Sequence, residues 1–381
     1  MRSLYLREKI FAGATLILWI LVCAIPAALA QKATPYDGSS AVILSYQRIG
    51  EDAYPATNIR YEQFQDHIKE LTEGAYKYNI MPLPEILKQI KAQKSLPPRT
   101  IAITFNGGYK SVAMLAAPLL IEHNIPFTLF VSTDNLDSGV EKYMNWYDVK
   151  KLQRSGLVTI GLHPAAYIHP DLENETTIKA QINKAKTHFR EQTGANPDLF
   201  AYPFGEYSNL YKSIVAESGF TAAFGQQSGV AYSGSDMYEI PRFTMTESYG
   251  DLDRFRMVAS ALPLPVTHIE PNDPHLKTQQ PAIGFTVDDS LTEEIDNISC
   301  FASGQKKPKL DTIGKNRVEI RLSGSFDEER ARINCTMPGP PTEAGEEQRW
   351  RWFGMLLTLP QPMMDMAGVN DDMSDTDEES E

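Results

Sequence analysis

Positive charge is what this sequence most clearly lacks. Its 381 residues carry 36 Lys and Arg against 49 Asp and Glu, a net charge of −13. Phosphate backbones are bound by clustered Lys and Arg, so the composition excludes nucleic acid as a partner. Cysteine is scarce as well, with Cys23, Cys300 and Cys335 the whole supply. No internal repeat is present. Residues 361–381 hold eight Asp and Glu and no Lys or Arg, the pattern of a disordered acidic tail. The rest is ordinary: 42% hydrophobic and 22% charged residues are enough for a sizeable buried core.

One long apolar run is present, Ile10 to Leu29, after Arg2, Arg7 and Lys9. It ends in Ala28-Leu29-Ala30, a small-x-small cleavage pattern before Gln31, so residues 1–30 read as an export signal. A retained anchor is the alternative, and contact with a membrane is expected only in that case. Cys23 follows Val22 rather than a small residue, which argues against lipid attachment there. The expected location is periplasmic or secreted, or anchored through the same segment. Loss of residues 1–30 leaves Cys300 and Cys335, which outside the cytoplasm read as one disulfide. Two free buried thiols are the alternative.

After a short linker at 31–40, apolar runs alternate with helical patterns. The strands are 41–46, 101–105, 127–131, 157–160, 199–202, 222–224 and 240–243. Helical spacing falls at 61–73, 84–93, 112–123, 146–153, 178–192 and 209–218. Strands separated by helices of this length predict a parallel sheet with βα crossovers. The expected fold is α/β, a distorted, incomplete (β/α) barrel of about seven parallel strands over residues 41–261. In such a barrel the chemistry sits at the C-terminal strand ends. Three polar corners lie there: Asn106-Gly107-Gly108, His163-Pro164 and Pro203-Phe204-Gly205-Glu206. Residues 262–281, rich in Pro and Asp, read as a second linker. Residues 282–360 lose helical spacing and read as a small antiparallel β-sandwich closed by Cys300–Cys335.

Those corners, in order, resemble the polysaccharide deacetylases, the group that includes chitin and nodulation-factor deacetylases. The carriers are Thr104-Phe105-Asn106-Gly107-Gly108-Tyr109-Lys110-Ser111, then Ile160-Gly161-Leu162-His163, then Phe200-Ala201-Tyr202-Pro203-Phe204-Gly205-Glu206-Tyr207. Leu96 to Thr100, Trp146 and Asp148 add to it, and the resemblance spans roughly residues 41–256. It implies hydrolysis of the acetamide C–N bond of N-acetylated sugars at a divalent metal such as zinc. In that chemistry the metal polarises the carbonyl and acidifies bound water while a carboxylate takes the proton. The resemblance also implies that the Phe204 backbone N–H helps hold the oxyanion, and that an N-acetylated oligo- or polysaccharide is the partner.

At the decisive positions the chain departs from that pattern. Asn106 stands at the place of the base, and an amide oxygen is too weakly basic to serve. Gly107 stands where a metal-binding Asp is expected. His163 keeps the first His position, Tyr167 takes the second, and His169-Pro170 looks like a displaced His-Pro pair. The expected metal ligands are therefore His163 and His169, with Asn106 orienting the acetyl group or the water. Loss of a base and a ligand together lowers turnover by well over about two orders of magnitude. Asp134, Asp137, Glu206 and Glu247 are the carboxylates that could substitute. His123 and His188 fall on helices and read as structural. Tyr109, Trp146, Tyr202 and Glu206 are the expected sugar contacts, with Tyr46 and Tyr207 as further aromatics and Trp350 and Trp352 as a candidate second platform. Two readings stay open: a deacetylase with impaired turnover, and a non-catalytic glycan-binding pseudoenzyme that keeps the groove.

Overall fold

The computed structural model describes residues 33–340, 342 and 346–359. The predicted export signal and acidic tail lie outside the described residues. Parallel strands β1 (Ser40–Tyr46), β2 (Thr100–Asn106), β3 (Phe127–Val131), β4 (Val158–Leu162), β5 (Leu199–Ala201) and β6 (Ala222–Phe224) pair in sequence order. The chain then runs from a bridge between Phe224 and Ile240 to β7 (Phe243–Thr244), which pairs parallel with β1. The result is a curled barrel of mostly parallel strands, as the alternation of elements predicts.

Period-two alternation assigns the two faces of each strand. Val42, Leu44, Ile101, Ile103, Phe105, Leu129 and Leu162 face outward into the main core beneath the helices. Ala41, Ile43, Ala102, Phe130, Ala201, Ala222, Phe224 and Ile240 face inward and form a second cluster with Leu83, Ile86, Leu87 and Ile90. Those last four lie on the helix Leu83–Lys91, so this helix closes the N-terminal end of the barrel. At the opposite end the inward positions turn polar: Ser45, Thr104, Asn106, His163 and Arg242.

The segment expected as a linker at 262–281 is instead part of the second layer. Leu262–Pro263 (β8) and Val266–Glu270 (β9) are strands. They are followed by β10 (Ile283–Val287), β11 (Ser299–Ala302), β12 (Lys309–Ile313), β13 (Arg317–Arg321), β14 (Arg330–Pro338) and β15 (Trp350–Thr358). The sheets run β8-β15-β14-β11 and β9-β10-β13-β12. Pro, Asp and His in 262–281 mimicked a linker because edge strands tolerate residues that a central strand rejects. The predicted sandwich is present, with Phe285 of one sheet packed 5.1 Å from Phe353 of the other. The disulfide Cys300–Cys335 forms, but between directly opposite residues of β11 and β14. It staples one sheet rather than tying the two together.

The sandwich grips the barrel directly. Arg330 Nη2 donates to the Phe204 carbonyl at 2.7 Å, and Arg332 Nη1 donates to the Gln226 carbonyl at 2.7 Å. Trp352 meets Phe243 edge-on at 5.2 Å.

Candidate active site

Asn106 ends β2 facing inward and is 1% exposed. Its amide orientation is fixed by an arginine, which can only donate. Arg242 Nη1 donates to Asn106 Oδ1 at 3.0 Å, so Nδ2 is left to donate to Ser45 Oγ at 2.9 Å. Arg242 itself is 0% exposed. Its Nε donates to the Gly225 carbonyl at 2.9 Å and its Nη1 also reaches Thr104 Oγ1 at 3.2 Å. The Phe130 and Phe224 rings flank the guanidinium at 5.3 and 5.7 Å. Asn106 is therefore a buried bridge between Arg242 and Ser45, with neither end of its amide turned to a substrate.

Gly107 and Gly108 both have positive φ, 85° and 69°, which lets the chain turn sharply away from β2. A Cβ at Gly107 would meet the Tyr109 ring at 2.6 Å. That ring is held by the Arg48 guanidinium at 3.9 Å and lies 5.2 Å from Tyr143. The position expected of a metal-binding carboxylate is thus filled by an aromatic ring anchored from the far side.

His163 is 0% exposed. Its Nδ1 donates to the Ala201 carbonyl at 2.6 Å, which leaves Nε2 as a lone-pair acceptor, and no partner reaches it. Burial, aided by the Arg242 charge, lowers its pKa to about 3, so the ring is neutral at ordinary pH. Tyr167 covers it edge-on at 4.7 Å, Phe204 lies 4.7 Å from Tyr167, and His169 stacks on Phe204 at 4.0 Å. Two aromatic rings therefore separate the expected ligands His163 and His169, and the expected pair does not assemble. His169 instead turns outward, its Nδ1 2.9 Å from Glu206 Oε2.

Phe204 occupies the third corner with φ 54°. Its N–H faces the buried Tyr167 hydroxyl without closing a hydrogen bond. The expected oxyanion donor is thereby covered by the residue that replaced the second histidine. Glu206 is held between His169 and Arg330, whose Nε lies 2.9 Å from Oε1. These groups open onto a hollow of about 400 Å³ also lined by His275 and Glu329.

The other candidates lie elsewhere. Tyr202 faces outward into the core and donates to the Tyr238 carbonyl at 2.9 Å. Tyr207 stacks on it at 4.8 Å, and Tyr46 is buried beside His67. Trp146 is core, its Nε1 donating to Asp137 Oδ1 at 2.8 Å and its ring stacked on His188. Asp134 pairs with Lys184, and Glu247 accepts from Asn58. Trp352 is turned to the barrel interface and donates to Asn334. None of the substitute carboxylates lies against Asn106 or His163.

The residues present do not fit a divalent metal. Among the described residues no group of three or more His, Cys, Asp and Glu could hold one. His163 offers a single nitrogen, and Arg242, a cation at neutral pH although burial lowers its pKa to about 9, stands within electrostatic reach of it. Sequence reading missed Arg242 altogether. The available signal was a charged residue at an inward position of a short apolar strand, Ile240-Pro241-Arg242-Phe243.

Comparison with known proteins bears on the fold and the family. The family model described as polysaccharide deacetylase matches residues 93–223. A poly-beta-1,6-N-acetyl-D-glucosamine N-deacetylase of Staphylococcus aureus is 23% identical over 243 residues, 57% of this chain and 82% of the relative. The protein of the same name from Escherichia coli K12 is 20% identical over 331 residues, 75% of this chain but only 47% of that relative's length. The structure of IcaB from Ammonifex degensii aligns with TM-score 0.53 and 22% identity, covering 59% of this chain and 99% of IcaB. That likeness carries the barrel. With the barrel and its three corners in their expected order, residues 93–223 are what this chain shares with the polysaccharide deacetylase family model.

Proposed function

We propose that this chain is an exported polysaccharide deacetylase-like protein of N-acetylated glycans in which the barrel serves recognition and metal-dependent hydrolysis is disabled. The observation that carries the reading is Asn106, an amide locked between Arg242 and Ser45 at the place of the base. The glycan class rests on the names of the relatives, which act on poly-β-1,6-N-acetylglucosamine. Export rests on the apolar N-terminal segment and on the disulfide. The polymer contacts the hollow beside His169, Glu206 and Arg330, which adjoins the covered centre. The test pairs two measurements on the full chain with β-1,6-linked N-acetylglucosamine oligomers. Binding is expected without acetate release above buffer, and Glu206→Gln is expected to weaken it. Acetate release that disappears in Asn106→Ala would overturn the reading.

A second reading keeps the activity, as a hydrolase of carbon–nitrogen bonds other than peptide bonds. It is favoured by the His169–Glu206 pair, an exposed imidazole joined to a buried carboxylate beside the third corner. That pair could take a proton from water without a metal. Acetate release lost in Glu206→Gln and unaffected by chelator would select it.

A further inference from the structure

Arg242 is a buried charge without a counter-charge. It is 0% exposed, and its hydrogen-bond partners are an amide oxygen, a hydroxyl and a backbone carbonyl. Among the described residues no carboxylate pairs with it; the titratable groups it interacts with are Tyr167 and His163. Its remaining terminal nitrogen, Nη2, is buried and has no partner. The Tyr167 hydroxyl, another buried donor, is also without a partner. Buried charges are ordinarily paired, because stripping a guanidinium of water without returning a negative charge is strongly unfavourable. The chain elsewhere follows that rule: buried Arg351 holds both oxygens of Asp37 at 2.6 and 2.9 Å.

We infer that the polar end of the barrel binds a small monovalent anion, a halide or a one-carbon carboxylate, on the free Nη2 edge of Arg242. The centre has inverted its charge. Where related chemistry surrounds a cation with carboxylates, this chain places a cation in a neutral shell of Asn106, Thr104 and Gly225. An anion supplies what that shell omits. A water molecule could accept from Nη2 but brings no charge, and an entering divalent metal would be repelled. The Phe130 and Phe224 rings, 5.3 and 5.7 Å from the guanidinium, limit the occupant to a small ion. The inference stands on Arg242 alone and does not depend on the glycan reading.

The test is thermal unfolding of the full chain at fixed ionic strength. The sodium salt of a bulky sulfonate is replaced stepwise by sodium chloride or by sodium formate. The midpoint is expected to rise with the logarithm of anion concentration once above Kd, by about 5 °C at concentrations far above Kd. Asn106→Asp sets a carboxylate against Nη1, and this variant is expected to start higher and to lose the response. An unaltered chain that ignores both anions overturns the inference, as does an equal response in Asn106→Asp, which marks an adventitious ion only. Calorimetric titration of formate into the unaltered chain decides the matter if the variant does not fold. One site per chain is expected, and no heat of binding rejects it.

Discussion

Two arginines, Arg242 at the mouth of the barrel and Arg351 under the sandwich, are equally buried and oppositely treated. Arg351 sits on β15 with its guanidinium closed in a fork on Asp37. Arg242 sits beside β7 on an amide, a hydroxyl and a carbonyl. The first arrangement is a structural clamp that joins the start of the described chain to the last strand. The second keeps a charge where a purely structural core would carry none. Burial alone therefore does not mark a functional residue; burial without a compensating partner does.

That contrast can be broken from either side. The largest effect is expected when the sandwich arginine is made to resemble the barrel one. Asp37→Asn removes the negative charge from the Arg351 fork, leaving the Pro263 carbonyl on Nη1, and should lower the denaturant-derived stability by about 3–5 kcal/mol. Acid is next. His163 is neutral in the folded chain with a pKa near 3, against 6.5 when unfolded. The unfolded state therefore takes up the proton first. The His163 contribution should be level above pH 6.5 and fall as pH drops from 6.5 toward 3, by about 4–5 kcal/mol across a pH series.

A smaller loss is expected from rebuilding the missing ligand. Gly107→Asp added to Asn106→Asp forces a side chain into the Tyr109 ring at a φ of 85°. It should cost about 2 kcal/mol relative to Asn106→Asp, with no zinc bound in a calorimetric titration. The smallest effect runs the other way. Asn106→Asp gives Arg242 what Arg351 already has and should raise stability by about 1–2 kcal/mol in urea.

The barrel was legible because its strands obey strict alternation and its helices fall between them at regular intervals. The cysteine pair was legible too, and the strand stretches around it gave the sandwich. Residues 262–281 were not, because Pro263, Pro265 and Asp273 mark edge strands and linkers alike. Motif order placed Asn106, His163 and Phe204 at strand ends, and they do stand there. What a motif cannot convey is which side chains lie across the barrel from it. Arg242 lies 136 positions from Asn106 along the chain, and Arg330 reaches Phe204 from the sandwich strand β14. Tyr202 shows the converse error: one step along a strand turns an expected sugar contact into an outward core residue.

The central claim is that this mouth has exchanged a metal-binding set for a lone cation in a neutral shell. It is tested most directly by the zinc retained per full chain after equilibrium dialysis against a zinc buffer at neutral pH. The account predicts no zinc that depends on His163. One equivalent per chain, lost in His163→Ala, would contradict it.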